Sequence, residues 1–340
     1  MPIHDIPSFT ISLDFELYWG VFDKVQLEDK TTYFDNTRRL VPRMLQLFER
    51  EEVHVTWATV GMLFAKDWEE WTAAMPEVVP TYENNKLSAY RQKERFASEK
   101  RFDKYFFAPE LVDQINRTPW QEMGTHTFSH YYCRETGQDL LQFKHDLQAA
   151  KRIAARKGIE LRSLVFPRNQ LDTPYLKICA EEGINTVRSN PVDWFWNMDV
   201  AEGRLKRLVR GADAYVPIGH KTSYPLSGLT LKEGLPLSLP ASRLLRPVHP
   251  GKKFLNELRL KRILQEMTAA AKANECYHLW WHPCNFGDEP EQSMADLEVI
   301  VRHYKKLEQQ WGMRSMSMLE VYEYLKQPLE VNKVLKAKQA

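Results

Sequence analysis

Ser8-Phe9-Thr10-Ile11-Ser12-Leu13-Asp14-Phe15-Glu16-Leu17 reads as a buried β-strand that delivers two acids at its C-terminal end. The segment 36–52 follows with Leu40, Met44, Leu45, Leu47 and Phe48 at helical spacing. Val53 to Thr59 then alternates as a second strand. A strand–helix–strand opening favours a parallel sheet. The rhythm returns downstream, with strands expected at 120–125, 161–166, 184–188 and 275–281. Helices are expected at 138–157, 173–182, 256–273 and 294–311, the second closed by Gly183. Such units repeated over about 300 residues predict a (β/α) barrel, in which functional groups collect at the C-terminal strand ends. Asp14, Glu16, His126, Arg168 and His282 all fall near such ends.

Three segments depart from the rhythm. Residues 66–112 are charged and aromatic, with irregular apolar spacing, and read as a helical insertion bordering the site. Residues 209–252 are rich in proline and glycine and are expected to form long loops. The lysine-bearing stretch 331–340 is expected to be a flexible tail, leaving 1–330 as a single barrel domain.

Composition narrows the function. The chain has 340 residues, 43% of them hydrophobic, enough for a sizeable core. Charged residues make up 27% with a formal net charge of +2, which argues against a protein held on nucleic acid by phosphate neutralisation. Four cysteines without a CxxC pair suit neither a zinc knuckle nor a disulfide scaffold. No apolar run approaches the ~20 residues of a membrane span. The N-terminus lacks the basic and apolar regions of a signal peptide, so a cytoplasmic location is expected.

The chemistry-bearing residues start with His126 and His130. Residues four apart on a helix lie about 5–6 Å from each other, close enough for both imidazoles to hold one ion. Adding Glu16 gives a nitrogen–nitrogen–oxygen set that suits zinc or a similar divalent ion and leaves a position open. The alternative is a helix cap built on Thr127 or Ser129 with the histidines merely nearby. Asp14 and Glu16 project to one face of an extended chain and repel unless a cation or proton lies between them. Asp14 could then serve as a base; alternatively the pair is an exposed acidic strand end. Arg168, just after a strand, could hold a carboxylate such as Asp14, or could be a surface arginine. His282, at the end of Trp280-Trp281-His282, could donate a proton to a leaving group or be a partly buried histidine bonded to backbone. His278 lies an even number of residues back in the same strand and should sit deeper. Trp194 could stack on a sugar or belong to a core.

These residues together resemble the polysaccharide deacetylases, the NodB-homology or carbohydrate esterase family 4 group. Ser12-Leu13-Asp14-Phe15-Glu16 is similar to that family's first motif, with one residue between the acids where many members have adjacent aspartates. Glu122 to His130 closely matches its metal-binding histidine motif. Phe166-Pro167-Arg168 is similar to the third motif, shortened and rearranged, and Leu279-Trp280-Trp281-His282 to the last. Asp193-Trp194 is the candidate for the remaining motif. The similarity spans about residues 8 to 325, and only the histidine motif is specific by itself.

The resemblance implies a distorted (β/α)7-type barrel of the glycoside hydrolase/deacetylase kind, holding one divalent metal. Zinc is the first choice, with cobalt, manganese or nickel as alternatives. Glu16, His126 and His130 would be the ligands, Asp14 the base, Arg168 its tether and His282 the acid. Trp19, Asp193 and Trp194 would contact substrate. The expected activity is metal-dependent removal of an N-acetyl or O-acyl group from a saccharide, such as a nucleotide- or lipid-linked precursor of a surface glycan. The alternatives are a deformylase or other amide hydrolase, and a degenerate barrel that only binds saccharide.

Overall fold

The computed structural model describes residues 5–191, 193–196 and 203–337. Its elements in chain order are β1 (Ser8–Phe15), α1 (Thr31–Arg50), β2 (Val55–Thr59), α2 (Trp68–Ala74), α3 (Gln92–Phe96), α4 (Asp103–Phe106), α5 (Pro109–Arg117) and β3 (Gln121–Thr125). Then come α6 (Leu140–Ala155), β4 (Ser163–Leu164), α7 (Thr173–Glu181), β5 (Thr186–Ser189), α8 (Arg204–Asp213), β6 (Leu237–Pro240) and β7 (Arg243–Leu244). The chain continues through α9 (Lys253–Ala273), β8 (Cys276–Trp281), α10 (Pro290–Trp311), β9 (Arg314–Ser315) and α11 (Met318–Ala337).

All the strand pairs are parallel, in the order β6-β5-β4-β3-β2-β1-β8-β7, with β9 beside the start of β1. The two outer strands of that order are almost consecutive in the chain. Ala241 N–H donates to Ser189 O, and Ser242 N–H donates to His278 O. One extended segment, 237–244, therefore pairs with β5 at its first end and with β8 at its second. The sheet thereby curls into a barrel of seven staves with helices on its outside. The expected barrel is what forms.

Residues 209–252 are thus not only loops. They contain the end of α8 and the segment that joins the two sheet edges. Proline and glycine there mark the corners, and they hide two short strands from any periodicity. The last helix reaches Ala337, across residues where the sequence suggests a tail.

Alternation along β1 sorts the core. Phe9, Ile11, Leu13 and Phe15 are buried among the surrounding helices. Thr10, Ser12 and Asp14 project to the other face, the barrel interior. The insertion packs onto the same core: Trp68, Trp71, Phe96, Phe102 and Phe106 are buried in one cluster with Trp19. No described helix is long and apolar enough to cross a membrane.

Candidate metal centre and its neighbours

Register places the site residues. Phe15, Thr59 and Thr125 stand side by side across β1, β2 and β3, so Glu16 and His126 emerge at one level. Leu13 pairs with Trp281, which brings Asp14 abreast of His282. All four leave the C-terminal rim of the barrel.

Glu16, His126 and His130 are buried, and one ligand atom from each lies within 4.8 Å of the others. The Nε2 atoms of His126 and His130 stand 3.3 and 3.1 Å from Glu16 Oε2. That oxygen is buried without a hydrogen-bond partner. His126 Nδ1 lies 2.8 Å from Val165 O. A carbonyl only accepts, so Nδ1 carries the proton and the Nε2 lone pair faces Glu16. His130 Nδ1 lies 3.1 Å from the Tyr132 hydroxyl, leaving its Nε2 aimed the same way. A buried unpartnered carboxylate oxygen beneath two inward-facing imidazole lone pairs fits a divalent cation. Burial pushes the His130 pKa down to about 4 against the pull of Glu16, so this imidazole is neutral at neutral pH. Burial opposes the charge on Glu16 too. The surrounding histidines, His282 first, outweigh it and hold the carboxyl well below its ordinary value.

The segment 126–133 is a loop, not the helical turn assumed for four-residue spacing. Thr127 and His130 take left-handed backbone, with φ of 64° and 58°. The loop coils tightly enough to bring the two ring centres 5.0 Å apart. Asp146 of α6 secures it, accepting from Phe128 N at 2.7 Å, Ser129 N at 3.2 Å and Ser129 Oγ at 2.5 Å. Thr127 Oγ1 accepts from Tyr131 N at 2.7 Å.

Glu16 is positioned by the chain reversal that follows it. Leu17 has a φ of 45°, and a single 3-10 turn over Leu17–Gly20 folds back beneath the carboxylate. A Cβ at residue 20 would overlap the Glu16 carboxyl group, so any larger residue displaces that carboxylate from its place. Trp19 belongs to this turn. It is fully buried, donates Nε1–H to Phe106 O at 2.7 Å and stacks with Trp71. Trp19 is therefore a core anchor and not a substrate contact, since its ring has no open face toward the site.

The guanidinium on Asp14 is Arg188, not Arg168. Arg188 Nη1 and Nη2 each donate to Asp14 at 2.7 Å, as a fork. Arg188 also donates to Ser12 Oγ at 3.1 Å and Asn169 Oδ1 at 3.0 Å, and lies 4.1 Å over the Trp280 ring. His278 completes the support. It is fully buried, as its place in the strand suggests. Its Nδ1 donates to Pro240 O at 3.2 Å, so its Nε2 accepts from Ser12 Oγ at 2.9 Å. Burial, then the Arg188 charge, pushes His278 down to about 3, so it stays neutral. Burial would raise the Asp14 pKa, but Arg188 first, then His126 and His282, bring it below the ordinary carboxylate value.

Arg168 points elsewhere. It pairs with Asp23 and, at 3.2 Å, with Glu135, and its guanidinium lies 4.0 Å over the Tyr132 ring. It braces the phenol that holds His130 and does not tether the base. The cause is local: Arg168 and Asn169 both have left-handed backbone, which turns the arginine away and Asn169 toward Arg188. A lone charge inside the buried strand Thr186-Val187-Arg188-Ser189 signals that Arg188 must meet a buried acid, without saying which one.

His282 Nε2 lies 3.6 Å from both Asp14 Oδ2 and Glu16 Oε1, with 29% of its side chain open to solvent. Asp193 is buried and accepts from His220 N at 3.0 Å, with the His220 ring at 2.7 Å. It ties two loops together, and its carboxylate is thereby committed. Trp194 is exposed and packs edge-on against Phe195.

No family model matches this sequence, and no curated protein does. Solved structures do match. A protein assigned as a polysaccharide deacetylase from Mycobacterium smegmatis superposes with a TM-score of 0.59 at 13% identity, over 96% of this chain and 95% of its own. The allantoinase PuuE superposes at 0.56 and 11% identity, over 94% and 89%. A second protein assigned as a polysaccharide deacetylase, from Pseudomonas aeruginosa PAO1, gives 0.55 and 12%, over 94% and 90%. The chain has the NodB-homology fold of the polysaccharide deacetylases.

Proposed function

We propose that the protein is a metal-dependent hydrolase that removes an acyl group, N-acetyl first, from a saccharide. The observation that carries this reading is the orphaned Glu16 oxygen facing two imidazole nitrogens, with a clamped carboxylate and a partly open histidine beside it. Glu16, His126 and His130 would hold the ion; the donor set suits zinc, with cobalt, manganese and nickel as alternatives. A divalent ion bound there supplies Lewis acidity, polarising the acyl oxygen and making water more acidic.

The chain's own residues do the rest. Asp14 stays ionised at neutral pH and takes a proton from the attacking water. Arg188 fixes its orientation and lowers its basicity. His282 reaches both the carboxylates and the opening, so it can give a proton to the departing nitrogen as the carbon–nitrogen bond breaks. A barrel that only binds sugar needs neither the Asp14 clamp nor His282.

The test pairs metal analysis with acetate release for His130→Ala. Loss of both is expected. Full metal content together with full activity overturns the proposal. A second reading, an amide hydrolase on a substrate other than an acylated sugar, is favoured by the fold shared with an allantoinase. Screening formate and ring-opened products against acetate separates the two.

A further inference from the structure

The two inward-facing histidines are held by different kinds of partner. His126 Nδ1 meets a backbone carbonyl at 2.8 Å, which can only accept. His130 Nδ1 meets the Tyr132 hydroxyl at 3.1 Å, which can give or take. A neutral imidazole carries one proton. If the hydroxyl gave its hydrogen to Nδ1, that proton would sit on Nε2, and His130 would have no lone pair toward Glu16. The direction of one hydrogen bond therefore decides whether His130 can be a ligand.

The next group along fixes that direction. The Tyr132 hydroxyl donates to Asp23 Oδ1 across 3.5 Å. Asp23 is nearly buried, with 8% of its side chain exposed, and Tyr132 is fully buried, which keeps bulk water off the hydroxyl. A carboxylate only accepts, so the phenol hydrogen turns toward Asp23. The phenol oxygen is left to accept, and Nδ1 must donate. Arg168 secures the acid from its other side: its guanidinium pairs with Asp23 Oδ2 and lies 4.0 Å over the Tyr132 ring. A guanidinium has no acceptor, so it cannot reverse the order.

We propose that Asp23 is a positioning residue that sets the tautomer of His130 through Tyr132, keeping the Nε2 lone pair on the side of Glu16. Asp23 touches neither substrate nor ion. Its importance for the metal rests on the hydrolase reading above; its effect on the ring does not. Asp23→Asn should reverse the chain of donors. Arg168 takes the amide oxygen as its acceptor, which leaves the amide N–H groups toward Tyr132. The phenol oxygen accepts from them, its hydrogen turns to Nδ1, and the His130 proton moves to Nε2.

The experiment is nitrogen NMR of the metal-free chain with isotope-labelled histidine, near neutral pH, the His130 signals being identified by their loss in His130→Gln. The parent is expected to carry the proton on Nδ1 and Asp23→Asn on Nε2. Zinc titration should show Asp23→Asn binding about 10–100-fold more weakly. Arg168→Gln breaks the same ion pair but keeps the carboxylate, so it should keep the parent tautomer. A parent with its proton on Nε2 overturns the proposal without any variant having to fold. So does Asp23→Asn with the proton still on Nδ1, or an equal shift in Arg168→Gln, which would assign the effect to the ion pair. A tautomer that moves while zinc affinity stays the same upholds the role of Asp23 and counts instead against His130 as a ligand.

Discussion

Arg188 and Arg168 have different jobs, and two measurements tell them apart. Arg188 holds Asp14 through a planar fork that lysine cannot reproduce. Arg188→Lys is expected to lower kcat by about 10²-fold or more, the scale of a displaced general base, with metal content unchanged. Arg168 acts on His130 through Tyr132. Tyr132→Phe removes the acceptor for the His130 Nδ1 proton and is expected to weaken metal binding about tenfold. If Arg168→Gln lowers turnover as much as Arg188→Lys does, this division of roles is wrong. Gly20 makes a sharper test. Gly20→Ala intrudes on the Glu16 carboxyl group and should strip the metal from a chain that still folds, as metal analysis would show.

At the scale of elements, α6 holds the ligand loop. It starts with a capping box between Asp139 and Gln142, which fixes its first turn. Asp146, two turns in, then meets the N–H groups of Phe128 and Ser129. Asp146→Ala leaves these donors buried and unpaired, so a loss of about 2–5 kcal/mol is expected in urea unfolding, together with weaker metal binding. A loss under about 1 kcal/mol would mean that the loop does not depend on α6. Most of this layer was legible in the sequence. Helices 140–155, 173–181 and 290–311 follow their apolar stripes and caps, and Asp14, Glu16, His126, His130 and His282 could be picked out by residue type and strand-end position. Three things were not. The left-handed backbone at Thr127 and His130 has no glycine to announce it. The corner at Ala241 and Ser242 lies in a stretch whose composition reads as loop. Arg188 could not be matched to Asp14 until a closed barrel brought β5 opposite β1, because a contact across 174 residues leaves no local trace.

For the whole molecule, burial of neutral His278 makes stability depend on pH. Its pKa is about 3 when folded, against an ordinary value of 6.5. Below pH 6.5 the unfolded chain binds a proton there that the folded chain refuses. The stabilisation is complete above 6.5 and drains away as pH falls toward 3, at up to about 1.4 kcal/mol per pH unit. Asp146 works in the opposite sense: burial lifts it to about 6, so between its ordinary 3.8 and 6 the folded state binds the extra proton. Comparing the parent with His278→Asn isolates the histidine. The difference between their unfolding free energies should shrink steadily from pH 6.5 to pH 4, and a constant difference would refute the assignment.

The parallel pairing of β1 with β8 also bears on how the chain is made. Ser12 meets His278 across 266 residues. At ordinary rates of translation the ribosome needs roughly 15–50 s to cover that distance. Throughout that interval the first strand has one side without its neighbour, a row of unpaired N–H and C=O groups open to pairing between nascent chains. A holdase chaperone that shields it would raise the yield of active protein in the cell, while leaving the finished molecule unchanged.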